Sequence, residues 1–379
     1  MPPSDTPKPE RPSQPSAASQ PGWPADRGRG TGLSPQNRFL PIREVPAPEH
    51  FEHLPEEWLE QGHVTTQFLD DDSQSIVAEN DSPDVYFRFN LNPYRGCEHG
   101  CSYCYARPYH EYLGFNAGVD FESRILVKRN APALFRRFLA RPQWRCEPIA
   151  LSGVTDCYQP AERRFRLTRG CLEVALQARQ PVSLITKNAL ILRDLDLLRE
   201  LAAHRLAEVS ISLTTLDPQL ARELEPRTSP PFARLKAITQ LAAAGLPVRV
   251  MTAPIIPGLN DSEIPALLTA AAEAGAASAG YVLLRLPLSV EPVFRDWLAR
   301  VRPGQAGKIE GQIRQTRGGE FNQAGFGTRM KGNGLLAEQI AQTFRVFSRR
   351  LGLNEPHAPL DTTQFRPPRD AVGQKYLFD

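Results

Sequence analysis

The chain has 379 residues, a formal charge of +3, and a composition that is 41% hydrophobic and 23% charged. That is enough apolar material for a sizeable core in about two to three domains. No run approaches the roughly 18 apolar residues of a membrane span, and the N-terminus lacks the apolar segment of a secretory signal, so neither a membrane protein nor a secreted disulfide scaffold is expected.

Residues 1–48 hold twelve of the 36 prolines, with many Ser, Gln and Gly. Such a stretch buries too little apolar surface to offset its ordering entropy and reads as a disordered tail. Residues 49–85 form a mixed N-terminal extension. Phe51–Trp58 is expected to be a short helix, and Asp70, Asp71 and Asp72 a solvated loop. From Tyr86 short β-branched or aliphatic runs alternate with helical patterns. The expected strands are Tyr86–Leu91, Pro148–Val154, Val182–Thr186, Glu208–Leu213, Val248–Thr252 and Gly280–Leu284. The expected helices are Tyr105–Tyr112, Thr168–Ala178, Ala189–Ala203, Pro231–Ala244, Ser262–Ala274 and Glu291–Val301, with an additional one at Ala131–Leu139. Strands alternating with helices imply a parallel α/β sheet over residues 86–302. Periodicity does not separate an open doubly wound sheet from an incomplete barrel. A C-terminal extension follows over 303–379. Gly304 to Gly334 reads as loop or cover. Residues 335–351 read as an amphipathic helix, with Leu336, Ile340, Phe344 and Phe347 on one stripe.

All six cysteines lie between Cys97 and Cys171. A stapled secreted domain would spread them, whereas a reducing cytoplasm keeps them as thiols available for ligation. Three fall in one short run, Cys97, Cys101 and Cys104, spaced C-x3-C-x2-C just after the first strand. Loops at the carboxyl ends of strands are where α/β folds place their chemistry. Three thiolates on one tight loop suit three irons of a [4Fe–4S] cube and leave the fourth iron open. Gly96 and Gly100 let the backbone wrap closely and turn amides towards sulfur. Two other readings stand beside it. One is a zinc site completed by His99 or His110, although no second knuckle is present. The other is ordinary packing of buried cysteines.

C-x3-C-x-aromatic-C, with Tyr103 as the aromatic, after the first strand of a six-unit α/β core resembles the radical S-adenosylmethionine superfamily. The segments Asn92-Pro-Tyr-Arg-Gly-Cys97, Thr155-Asp-Cys-Tyr-Gln-Pro160, Leu184-Ile-Thr-Lys187, Ser210-Ile-Ser212 and Pro254-Ile-Ile-Pro-Gly-Leu-Asn-Asp261 resemble its spore photoproduct lyase-like branch, often labelled DNA repair photolyases. The resemblance implies a partial (β/α)6 barrel of TIM-like type. It implies a [4Fe–4S] cluster on Cys97, Cys101 and Cys104, with S-adenosyl-L-methionine as cofactor. It further implies cleavage of that cofactor to a 5′-deoxyadenosyl radical, an electron donor such as flavodoxin or ferredoxin, and a nucleic acid base as substrate. Radical modification of a protein or small molecule is the alternative enzymatic reading. A zinc-stabilised nucleic-acid-binding module is the non-enzymatic one.

On the same resemblance, Tyr103 would lie beside the adenine. Gly153, Thr155 and Asp156, ending the second strand, would meet the methionyl amino group, though the family's usual Gly-Gly-Glu is absent there. Lys187 and Ser212 would meet the methionyl carboxylate, and Ile256 would wall the adenine. Spore photoproduct lyase uses a further cysteine as hydrogen-atom donor, and Cys157 is the candidate here. Cys146 and Cys171 read as core residues. Basic clusters at Lys128–Arg129, Arg136–Arg137, Arg163–Arg169 and Arg345–Arg350 would track phosphates if they lined one groove. Tyr158 and Phe165, beside Arg163, Arg164 and Arg166, would add stacking surface there.

Overall fold

The computed structural model describes residues 28–40, 64–355 and 358–368. Its centre is a seven-stranded sheet. The strands are β2 (Val77–Glu79), β3 (Phe89–Leu91), β6 (Ile149–Leu151), β7 (Val182–Thr186), β8 (Ala207–Ser212), β9 (Val248–Ile255) and β10 (Ser278–Leu283), in the order β10-β9-β8-β7-β6-β3-β2. All neighbours are parallel except β2, which runs antiparallel to β3 at the edge. The six parallel strands follow one another in chain order. A doubly wound sheet reverses direction at a switch point. A sequential order with crossovers of one hand keeps the helices on one face and curls the sheet, so the architecture is a partial (β/α)6 barrel. β10 does not pair with β2 or β3, so the barrel stays open there.

The central strands are buried on both faces, which is why they read as continuous apolar runs. Leu91, Leu151, Leu184, Val209 and Val248 stand in one register across the sheet and are almost fully enclosed. The helices between strands are α1 (Pro108–Glu111), α2 (Val119–Ser123), α3 (Ala131–Leu139), α4 (Glu162–Phe165), α5 (Leu167–Ala178), α6 (Leu195–Ala203), α7 (Pro218–Leu224), α8 (Pro231–Ala243), α9 (Ile264–Glu273) and α10 (Val290–Val301). A second sheet, β1-β5-β4, joins β1 (Gln67–Asp70), β4 (Tyr94–Arg95) and β5 (Arg124–Val127). It ties the N-terminal extension to the stretch that follows β3.

Several expectations change. Residues 28–40, assigned to the Pro-rich tail, pack against the body, with Thr31 and Asn37 buried. Composition averages over the tail and misses this short polar segment, which is held by hydrogen bonds rather than apolar area. The expected helix at 189–203 begins as a 3-10 turn, Ala189–Asp194, capped by the Asn188 side chain. The stretch read as loop from Gly304 contains α11 (Ala306–Gln315), which buries Ile309 and Ile313. Gly307 and Gly311 hid it because glycine weakens helix propensity. α12 (Gly334–Arg350) is the amphipathic helix, burying Ile340 and Phe344 as expected. The helix expected at 51–58 lies outside the described residues.

Candidate functional site

The carboxyl ends of the parallel strands converge on the loop that follows β3. Three turns fold it, each opening on a cysteine carbonyl: Gly100 N–H donates to Cys97 O, Cys104 N–H to Cys101 O, and Arg107 N–H to Cys104 O, at 3.2–3.3 Å. Gly96 and Gly100 take positive φ of 77° and 65°, a region side chains rarely adopt. A Cβ on Gly100 would lie 2.6 Å from a Glu122 carboxylate oxygen, so there is no room for one. Cys97 and Cys101 are buried and Cys104 is partly so. Burial is the main force pushing all three thiols above their usual range. Mutual repulsion adds to this for Cys97 and Cys101, while Lys187 pulls Cys101 and Cys104 back. Ligation of a metal would require these thiols as thiolates, and binding would release their protons.

Side chains from the neighbouring strand ends brace the loop. Gln159 spans it, its amide accepting from Glu98 N–H at 3.0 Å and donating to Gly96 O at 3.1 Å. Asn92 accepts from the amides of Val154 and Thr155. The buried guanidinium of Arg107 donates to Cys101 O at 2.8 Å and to the Glu122 carboxylate. His99 faces Asp156 through Nδ1 at 3.4 Å and Asn188 through Nε2 at 3.3 Å. Asp156 also accepts from the Thr186 hydroxyl and the Lys187 amide, both at 2.8 Å. Burial would raise the Asp156 carboxyl, but His99 and these donors hold it below the usual range.

Tyr103 is pinned from below. Its hydroxyl donates to Glu225, which also accepts from the Thr214 hydroxyl at 2.6 Å and from the Arg234 guanidinium. Burial opposes the Glu225 charge; Arg234 and Lys187 outweigh it and keep the carboxyl low. The Lys187 ammonium stands 5.9 Å from the centre of the Tyr103 ring.

The structure brings together most of the residues singled out in the sequence. Tyr103, Ile256 and Cys101 share one buried apolar cluster, and Lys187 faces it. Gly153 O accepts from Tyr105 hydroxyl at 2.8 Å, and a Cβ there would strike Asn90. Thr155 is spent on structure, its hydroxyl donating to Tyr94 O at 2.7 Å. Ser212 is buried, and its carbonyl accepts from Arg234. Cys157 is not brought to the site. It is fully enclosed in the main core, as is Cys171, and burial pushes its thiol well up. In the segment Thr155-Asp-Cys-Tyr-Gln-Pro160 the chain turns so that Asp156 and Gln159 reach the cysteine loop while Cys157 and Tyr158 enter the core. Cys146 is partly exposed, with Gln180 as its neighbour.

Sequence reasoning missed Glu225, Arg234, Arg107, Glu122 and Gln159. The polar residues just after strand ends, such as Gln159, were the available signal; the ion pairs formed across the chain left none. In the basic clusters, Arg129 pairs with Asp70 and Arg169 with Asp194 and Asp196, while Arg136 donates to Gln177.

Three thiols on one loop are a donor set that fits an iron–sulfur cube. The zinc reading needed His99 or His110. His99 is engaged as above, and His110 stacks on Phe115 with Phe121 at its edge. A cube takes each thiolate on a different iron, so its ligands need not meet at a point.

Comparison with known proteins agrees with this geometry. Residues 91–271 match the radical SAM superfamily. An uncharacterised protein of Mycobacterium tuberculosis is 45% identical over 219 residues, covering 57% of this chain and 64% of its own length. An uncharacterised protein of Methanocaldococcus jannaschii is 31% identical over 176 residues, 46% of this chain and 63% of its own. Thus less than two thirds of either relative is spanned. Among solved structures, a spore photoproduct lyase mutant superposes with a TM-score of 0.56 at 15% identity, covering 82% of this chain and 85% of that one. Another mutant of that lyase, with bound AdoMet and dinucleoside spore photoproduct, gives 0.55 at 16% identity, covering 75% and 78%. At such identities the likeness establishes the fold.

Proposed function

We propose that this chain is a radical S-adenosylmethionine enzyme acting on a nucleic acid base. One observation carries the reading: three thiols, two buried and one partly so, on a C-x3-C-x2-C loop stand at the carboxyl end of the first parallel strand of a partial barrel, with the other strand ends gathered around them. Cys97, Cys101 and Cys104 would hold a [4Fe–4S] cluster. When bound there, the cluster supplies the electron that cleaves S-adenosylmethionine to a hydrogen-abstracting 5′-deoxyadenosyl radical.

The chain's own residues bind and shield. Lys187 offers a cation to the methionyl carboxylate, and Tyr103 and Ile256 offer apolar surface to the adenine. The carbonyls and carboxylates around the thiols are tied by Gln159, Arg107 and Asp156, so the loop is preorganised before any cofactor arrives. α11, which buries Ile309 and Ile313 in the same apolar cluster as Cys101, helps keep water out.

For the substrate, the support is the rim. Tyr105, Tyr109 and Tyr112 follow Cys104 at i, i+4 and i+7 spacing and are 43%, 55% and 67% exposed. Phe39 stacks on Tyr112, and the Arg285 guanidinium lies 6.0 Å from the Tyr105 ring centre. Exposed rings with a cation beside them suit base stacking, worth roughly 1–3 kcal/mol per base. The solved lyase with bound dinucleoside photoproduct points the same way.

The test is anaerobic reconstitution with iron and sulfide, reduction by dithionite or by a flavodoxin or ferredoxin, and assay for 5′-deoxyadenosine. Wild type should form it and Cys101→Ala should not. Deuterated DNA, tRNA and peptides then assign the substrate. Label that reaches deoxyadenosine only from peptides or small molecules would move the reading to that alternative class.

A further inference from the structure

Residues 28–40 touch the cysteine loop more closely than any role as a tail requires. The Arg29 guanidinium donates to Glu122 O, to Val64 O at 2.6 Å and to Thr66 Oγ1 at 2.9 Å. Gly30 N–H donates to the Glu122 carboxylate at 2.8 Å. A Cβ on Gly30 would fall 1.5 Å from Gly100 O, between Cys97 and Cys101. The Glu122 carboxylate that receives Gly30 is the one that receives Arg107, and Arg107 holds Gly100 O and Cys101 O. Both ends of the segment are fastened. Arg227 donates to Gly28 O at 2.9 Å, and its amide donates to His99 O. Asn37 donates to Glu111 O and Phe115 O, and Arg38 pairs with Glu111.

We infer that residues 28–40 are a strap forming the outer wall of the cluster pocket, with Arg29 and Gly30 as positioning residues that fix the backbone between the first two cysteines. That a cluster occupies the pocket rests on the proposed function; that the strap holds the loop does not. The physical reason is that Glu122, which holds Arg107 and through it Gly100 O and Cys101 O, takes donors from Arg29 and Gly30, so support for the loop runs through a distant part of the chain. Glycine at 30 is demanded by the closeness of Gly100 O, since any side chain would drive the two backbones apart.

Gly30→Ala and Arg29→Ala, made in the full chain, test this, with Gly311→Ala as control because a Cβ there meets nothing within 4 Å. The first readout needs no cofactor: amide hydrogen exchange of the metal-free protein. Both variants should speed exchange of residues 97–107 about tenfold, as for a local opening, with the β7–β9 core unchanged. Arg29→Lys should recover part of the protection, since one ammonium replaces part of a guanidinium fork. The second readout is the reconstituted protein, whose visible absorbance should bleach faster in air and whose low-temperature EPR lines should shift. Exchange over 97–107 equal to wild type in both variants overturns the strap. Should Gly30→Ala loosen the whole chain, Arg29→Ala decides alone. A wild type that takes up no cluster overturns the proposed function instead, and the exchange measurement still decides the strap.

Discussion

Glu225→Gln is the most demanding test of how the site is held. Glu225 is fully buried and charged, and it gathers Tyr103, Thr214 and Arg234 at one carboxylate. The substitution keeps the shape and removes the charge. Arg234 then remains 1% exposed, with no carboxylate to pair with and only neutral acceptors: the carbonyls of Ser212 and Ser229, the Thr228 hydroxyl and at most the new amide oxygen. Removing one partner of a buried pair costs about 3–5 kcal/mol, because the other charge stays desolvated. The retained acceptors place the loss near the low end, about 3 kcal/mol. Urea unfolding of the metal-free chain, followed by far-UV circular dichroism, measures it. Replacing both partners, Glu225→Leu with Arg234→Met, should cost less than Glu225→Gln alone, since neither charge is left buried. The folded Glu225 pKa lies below its unfolded value, so its contribution is complete above about pH 4.3 and fades as pH falls through the folded value. The gap between wild type and variant should therefore narrow in acid. A loss under about 1 kcal/mol at neutral pH, or a gap that widens in acid, would refute the idea that this pair anchors Tyr103.

Acid should also act through His110, which burial pushes down to about 4. Its folded pKa lies below the unfolded value of about 6.5, so between these pH values the unfolded chain takes up a proton that the folded chain refuses, costing on the order of 3 kcal/mol by pH 4. His110→Phe should flatten that slope in thermal melts recorded from pH 7 to 4. Gln159→Leu leaves Glu98 N–H and Gly96 O buried without their partner, about 1–3 kcal/mol of local cost, and iron analysis after reconstitution should show less metal per chain. Tyr109→Ala with Tyr112→Ala should weaken single-stranded DNA binding by roughly 10-fold or more in anisotropy titrations, if each ring stacks a base.

The alternation of short apolar runs with helical stretches fixes six parallel strands, because strands buried on both faces must be apolar throughout; Val182–Thr186 was legible to the residue. The cysteine spacing likewise announces its loop, since chemistry that needs three thiols on one turn cannot be spread along the chain. What sequence alone left open is everything joined across distance. The fate of Cys157 depended on which way the chain turned after β6, which sends Cys157 to the core and Gln159 to the loop. The Arg107–Glu122 and Arg234–Glu225 pairs, and the docking of Arg29 and Gly30, arise only when separate segments meet in a space without water. Local periodicity records which side of an element is buried. Only tertiary packing decides which charges and carbonyls must then find one another.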